Sequence, residues 1–133
     1  MMRRAFTLIE ALIAIALLAV VLPVAMAGVA RAGQAAGAAH RQQVAMRLAQ
    51  GKMNWLTASG DWSAGSSSGG FDPAQDGAES AGFRWQLEVA SWRDPAVRQL
   101  HLTVAWDPAS PANQVSVDTL VTPAAAAADT ENP

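Results

Sequence analysis

A chain of 133 residues has room for one small domain and little more. With a formal charge of −2, and seven basic against eleven acidic residues once Arg3 and Arg4 are set aside, it offers no basic patch that would suggest nucleic acid as a partner. It has no cysteine, which excludes disulfide staples and leaves the domain to be held by its core or by partners.

The chain opens on Arg3-Arg4-Ala5-Phe6-Thr7-Leu8-Ile9-Glu10, followed by Ala11 to Ala30 without a charged residue. Only Pro23 and Gly28 in that run are unfriendly to a helix. Such a length of apolar and small residues is enough to cross a bilayer as a helix, and the two arginines hold its N-terminal end on the cytoplasmic side. Glu10 is the odd residue, because it lies inside the apolar block. A carboxylate at mid-membrane depth costs roughly 2.5–3.5 kcal/mol, and less near an interface. An acidic residue within such a segment is a functional-site hypothesis, and its partner has to be named. Three readings follow: a secretory signal peptide with Ala25-Met26-Ala27 as a small-x-small cleavage site, a plain single-pass anchor, or a processing and assembly signal in which Glu10 is wanted. The early charge argues against the first, and in the second it is merely unfavourable.

For the third reading, Ala5-Phe6-Thr7-Leu8-Ile9-Glu10-Ala11-Leu12-Ile13-Ala14 resembles the class III signal of type IV pilins and type II secretion pseudopilins. The resemblance implies that a prepilin peptidase removes a basic leader, residues 1–5, between Ala5 and Phe6. It further implies that the Phe6 amine is methylated and that Glu10 neutralises the Phe6 amine of a neighbouring subunit. The family usually has glycine before the cut, where this chain has Ala5. A buried ammonium and a buried carboxylate are each unfavourable alone and tolerable together, so the pairing turns the cost of Glu10 in lipid into a force for docking in register.

Beyond a membrane segment over 6–30, helical spacing continues over 31–58 as an amphipathic helix. Val44, Leu48 and Trp55 share one face, with Arg41, Arg47 and Lys52 at solvated positions. That face serves either the domain's own core or a partner's helix. The stretch 59–82 is rich in glycine and serine, shows no sustained periodicity and reads as a long loop, pinned by Trp62 and Phe71. Its carboxylates, Asp72, Asp76 and Glu79, are of the type a hard cation takes, but their spacing matches no ligand loop, and no metal or other cofactor is expected. From Phe83 the period becomes two: Phe83, Trp85, Leu87 and Val89, then Leu100, Leu102, Val104 and Trp106, then Val115, Val117, Thr119 and Val121. Turns fall at Asp94-Pro95 and at Asp107-Pro108 with Pro111-Ala112-Asn113. Three strands over 83–122 read as an antiparallel meander with one apolar face, which the helix covers. Residues 123–133 have nothing to bury and read as a disordered end. The fold class is therefore α+β and pilin-like: a long N-terminal helix packed on a small antiparallel sheet.

Catalysis finds little support. His40 lies on the helix and His101 on the polar face of a strand, and neither has a neighbouring cysteine or acidic residue in the sequence that suggests a triad or a metal site. The chain is not expected to be an enzyme. More loosely, Val44-Ala45-Met46-Arg47-Leu48-Ala49-Gln50-Gly51-Lys52-Met53 and Phe83-Arg84-Trp85-Gln86-Leu87 are similar to the minor pseudopilin subgroup called general secretion pathway protein I. This implies a subunit of the inner membrane of a Gram-negative bacterium, single-pass, with its C-terminal domain in the periplasm. Its place is the tip of a type II secretion pseudopilus, with other minor pseudopilins and the major pseudopilin as partners. A minor pilin of a type IV pilus is the nearest alternative, and a membrane-anchored periplasmic binding domain is a further one.

Overall fold

The computed structural model describes residues 5–107 and 110–123; most of the leader, residues 1–4, and the tail from 124 onward lie outside the described residues. The chain divides into two compact units, up to Ala39 and from His40.

The first unit is helical. Helix α1 (Leu8–Ser59) starts two residues later than the pattern predicts: its first backbone bonds run to the Thr7 carbonyl from the amides of Glu10 at 3.0 Å and Ala11 at 3.3 Å, leaving Phe6 outside. Leucine and alanine favour this helix. It is assigned without a break through Pro23 and Gly28, although proline removes one backbone hydrogen bond from the ladder. Every large apolar side chain from Phe6 to Val29 is exposed, so nothing in the unit itself buries this segment.

The second unit holds the core. Its sheet has four antiparallel strands in the order β1 (Ser67–Gly70), β2 (Arg84–Ser91), β3 (Arg98–Ala105) and β4 (Gln114–Val121). The last three are the strands that alternation predicts, and their register places the apolar positions in rows. Leu87 faces Leu102, which faces Val117; Val89 faces Leu100; Trp85 faces Val104, which faces Val115. Leu87, Leu100, Leu102 and Val104 are wholly buried. The hairpin between β2 and β3 closes where Asp94 and Pro95 mark it, with the Asp94 side chain accepting from the Ala96 amide at 2.8 Å.

Against this face lies the last third of α1, through Val44, Ala45, Leu48, Ala49, Met53 and Leu56. Ala45 and Ala49 are fully buried, so small side chains fill part of the helix face that meets the core. Trp55, expected on this face, is half exposed at 51%. At about 100° per residue, Val44, Leu48 and Trp55 fall within about 40° of one another, at one rim of a buried arc about 180° wide that runs round to Met53. The buried arc thus extends past that face to the alanines, which carry little weight in a hydrophobic pattern, while Trp55, between Val44 and Leu48 in angle, packs outward against Lys52. Gly60, at φ 76°, ends α1 in the left-handed region, and its amide donates to the Leu56 carbonyl at 3.0 Å.

The stretch 59–82 is more ordered than a loop. It contains a 3-10 turn at Asp61–Ala64, strand β1, the one-turn helix α2 (Pro73–Asp76) and a second 3-10 turn at Ala78–Ser80. Trp62 is buried in the core and Phe71 packs against it. Strand β1 has no alternation of its own, and its pairing with β2, Ser67 to Leu87 through Gly70 to Arg84, supplies the order that its sequence lacks. The Trp85 indole lies across Gly69. A Cβ on Gly69 would sit 3.0 Å from Trp85 Cζ2, so Gly69→Ala is expected to destabilise the domain by about 1–3 kcal/mol through displacement of the indole. All five tryptophans belong to this unit, so urea unfolding followed by tryptophan fluorescence reads the effect without interference from the apolar segment.

Candidate assembly site

Phe6 and Glu10 are the residues that the sequence singles out, and they stand at the exposed start of α1. Phe6 is 84% exposed and Glu10 is also exposed. Thr7-Leu8-Ile9-Glu10 has the spacing of a capping box, a signal that the pattern reading passed over. Among the described residues, however, no side-chain hydrogen bond joins Thr7 and Glu10, and no cation pairs with Glu10. Among the described residues, the carboxylate therefore stands on an apolar helix without a side-chain cap or an ion pair. The segment around it is long and apolar enough to cross a membrane, and none of it is buried within the chain.

Val44 and Leu48 are core residues of the second unit. Trp55 instead forms, with Lys52 and Trp85, an exposed aromatic contact: the Lys52 ammonium lies 4.5 Å from the centroid of the Trp55 ring and 4.4 Å from that of Trp85. Each such cation–π contact contributes about 0.5–1 kcal/mol at an exposed site. Lys52, read from the sequence as a solvated position, thereby ties α1 to β2. An open groove of about 540 Å³ runs alongside, lined by Arg47, Lys52, Trp55, Phe71, Asp72 and Asp76 among others.

The loop carboxylates are used locally. Asp72 caps α2, its side chain accepting from the Ala74 amide at 2.9 Å, and its own amide donates to Asp76 Oδ2 at 2.9 Å. Glu79 accepts from Arg47 at 2.9 Å, with His40 Nε2 3.9 Å from its other oxygen. Both histidines thus have acidic neighbours that the sequence does not show. His101 Nδ1 is 2.7 Å from Asp118 Oδ1, and Thr103 Oγ1 is 3.3 Å from His101 Nε2. The order Thr103, His101, Asp118 is that of a proton relay, but it lies across the outer, solvent-facing side of the sheet, where Asp118 is half exposed. Strand register creates it: His101 faces Asp118 across β3 and β4, a proximity that two residues 17 apart in sequence do not announce.

Residues 1–22 match the prokaryotic N-terminal methylation motif. The match takes in the basic leader, Ala5 and Phe6 on either side of the expected cut, Glu10 and the first half of the apolar segment. No curated protein and no solved structure shows a significant match to the chain. The motif indicates a type IV pilin-like protein, of a pilus or of a pseudopilus. It implies processing by a prepilin peptidase and assembly with other pilin-like subunits through a membrane-anchored N-terminal helix.

Proposed function

We propose that this chain is a minor pseudopilin of a type II secretion system. In this reading it is a non-enzymatic structural subunit at the tip of the pseudopilus, supporting export of folded proteins across the outer membrane. It sits in the inner membrane of a Gram-negative bacterium as a single-pass protein with the second unit in the periplasm, and it needs no cofactor. The prepilin peptidase cuts between Ala5 and Phe6, the Phe6 amine is methylated, and Glu10 docks onto the Phe6 amine of a neighbouring minor or major pseudopilin. The observation that carries the assembly role is Glu10 itself, a carboxylate with no ion pair among the described residues, exposed at the head of an apolar helix. The loose similarity to the general secretion pathway protein I subgroup favours the secretion system. The methylation motif fits a minor pilin of a type IV pilus equally well.

The mature N-terminus tests this reading. Mass spectrometry of the membrane-extracted protein is expected to find N-methylated Phe6. A chain starting at Gly28 marks ordinary signal-peptidase cleavage, and a retained Met1 or Met2 marks a plain anchor; either result defeats the proposal. Deletion of the gene is then expected to stop export while leaving any pili intact. Loss of pili with normal export assigns the chain to a pilus instead.

A further inference from the structure

Between Glu10 and His40 the chain carries a single charge, Arg31. The residues on its two sides differ little in kind. Before it lies the uncharged run from Ala11 to Ala30. After it, from Ala32 to Ala39, come alanine and glycine with Gln34 as the one polar side chain. Helix α1 continues through all of them, and every side chain from Ala11 to Ala39 is exposed. From Ala11 to Ala39 is about 42 Å of helix at 1.5 Å per residue, well beyond the roughly 30 Å of a hydrocarbon core. Apolarity alone therefore leaves the far boundary of the membrane segment open.

Arg31 is the one charge that can close it. It is exposed and has no ion pair among the described residues. A guanidinium at the centre of the core costs roughly 2.5–3.5 kcal/mol, as a carboxylate does. At the headgroups its planar fork takes a phosphate through two hydrogen bonds, and its long stem reaches them from slightly inside. The spacing fits as well. From Glu10 to Arg31 is roughly 32 Å along the helix, close to the thickness of the core. With Arg31 at the far headgroups, Glu10 falls at the near edge of the hydrocarbon, on the N-terminal side. Phe6, four residues earlier, then lies in the near headgroup layer.

We infer that Arg31 sets the depth of α1: it binds lipid phosphate in the leaflet away from the N-terminus, and so holds the Ala5–Phe6 bond and Glu10 at the opposite face. This rests on the reading of the segment as membrane-spanning, and not on the secretion role. Arg31 is a positioning residue, acting on cleavage and docking through depth and touching neither partner. Seated in this way, Glu10 stands where its charge costs less than at mid-membrane. Only the docked state carries it further in, where a neighbouring Phe6 amine offsets the charge.

The test uses the full chain in vesicles of phosphatidylethanolamine and phosphatidylglycerol. Because the chain has no cysteine, a nitroxide on Ala11→Cys reports depth without background, through its collisions with oxygen and with a water-soluble nickel complex. Two double variants move the charge three residues either way: Arg31→Leu with Gly28→Arg, and Arg31→Leu with Gln34→Arg. A Cβ on Gly28 meets nothing within 4 Å, and Gln34 is exposed, so the helix accepts both arginines. The first variant is expected to carry the label inward by about 4 Å and the second outward by about 4 Å, while Arg31→Lys keeps the wild-type depth. Coexpressed with a prepilin peptidase, the first variant draws the cut toward the hydrocarbon and is expected to lose its leader about tenfold more slowly. Added inorganic phosphate is expected to leave the label in place; an outward shift would assign the guanidinium to a free anion and overturn the lipid as its ligand. The same depth in all four chains overturns the inference, and an unchanged cleavage rate despite an inward shift overturns the positioning role. A second label, on Leu18→Cys, separates the two readings. Found in water, it defeats the membrane reading and the inference with it; found in the hydrocarbon beside an unmoved Ala11 label, it defeats the inference alone.

Discussion

Glu10→Ala is expected to be inserted and cleaved normally and yet to fail in assembly. The substitution removes a carboxylate from an apolar helix, so the variant enters the membrane more readily than the wild type. A defect therefore cannot be laid to poor insertion. On the proposed docking, the variant loses the partner for a neighbouring Phe6 amine, a pairing that offsets a cost of roughly 2.5–3.5 kcal/mol for the carboxylate at depth. That energy corresponds to a fall of about two orders of magnitude in docking affinity, enough to empty the filament of this subunit at ordinary expression levels. The check is twofold: a gel shift for removal of the leader, and the amount of the chain that co-sediments with sheared filaments. Glu10→Asp keeps the charge and shortens its reach, and should retain part of the function. Normal processing with undiminished assembly of Glu10→Ala would show that the carboxylate is only an interfacial group. Loss of cleavage together with assembly would move its role to recognition by the peptidase.

Glu10 stands out in the sequence because it is a single acid in an apolar run, although its place in the first turn of α1 also suits an acid. The three long strands were readable for a related reason: each has one buried side, so period-two alternation is imposed on it. The failures have equally physical causes. Strand β1, Ser-Ser-Gly-Gly, is a strand only because β2 pairs with it, and a segment with no side chains to bury leaves no pattern. Of the predicted helix face, Val44 and Leu48 are buried, but a reading weighted by size sets Trp55 beside them and passes over Ala45 and Ala49, which are fully buried. Met53 and Leu56 complete that buried face, and Trp55 is left to clasp Lys52 on its rim. The contact of His101 with Asp118 depends on register between two strands, which alternation alone does not set. In the candidate site, what could be read is what concerns one residue against its own neighbours in the chain; what could not be read depends on pairing.

Leu102→Ala is expected to be the most damaging single truncation in the second unit. Leu102 is wholly buried at the centre of β3, between Leu87 and Val117 in the row that crosses three strands. Removing its isobutyl group forfeits burial and opens a cavity that strands on both sides hold apart, at a cost of about 2–5 kcal/mol. A unit of this size has about 5–14 kcal/mol of stability in total, without a disulfide to limit its unfolded state. The loss is thus a large fraction of the whole, and about 3 kcal/mol corresponds to a fall in Tm of roughly 12–24 °C. Thermal unfolding followed by tryptophan fluorescence measures it. Leu120→Ala on the same sheet is the control, because Leu120 lies on the outer side and is 49% exposed; its change should stay within about 0.5 kcal/mol. Comparable losses from the two substitutions would mean that both sides of the sheet are buried in the protein as purified.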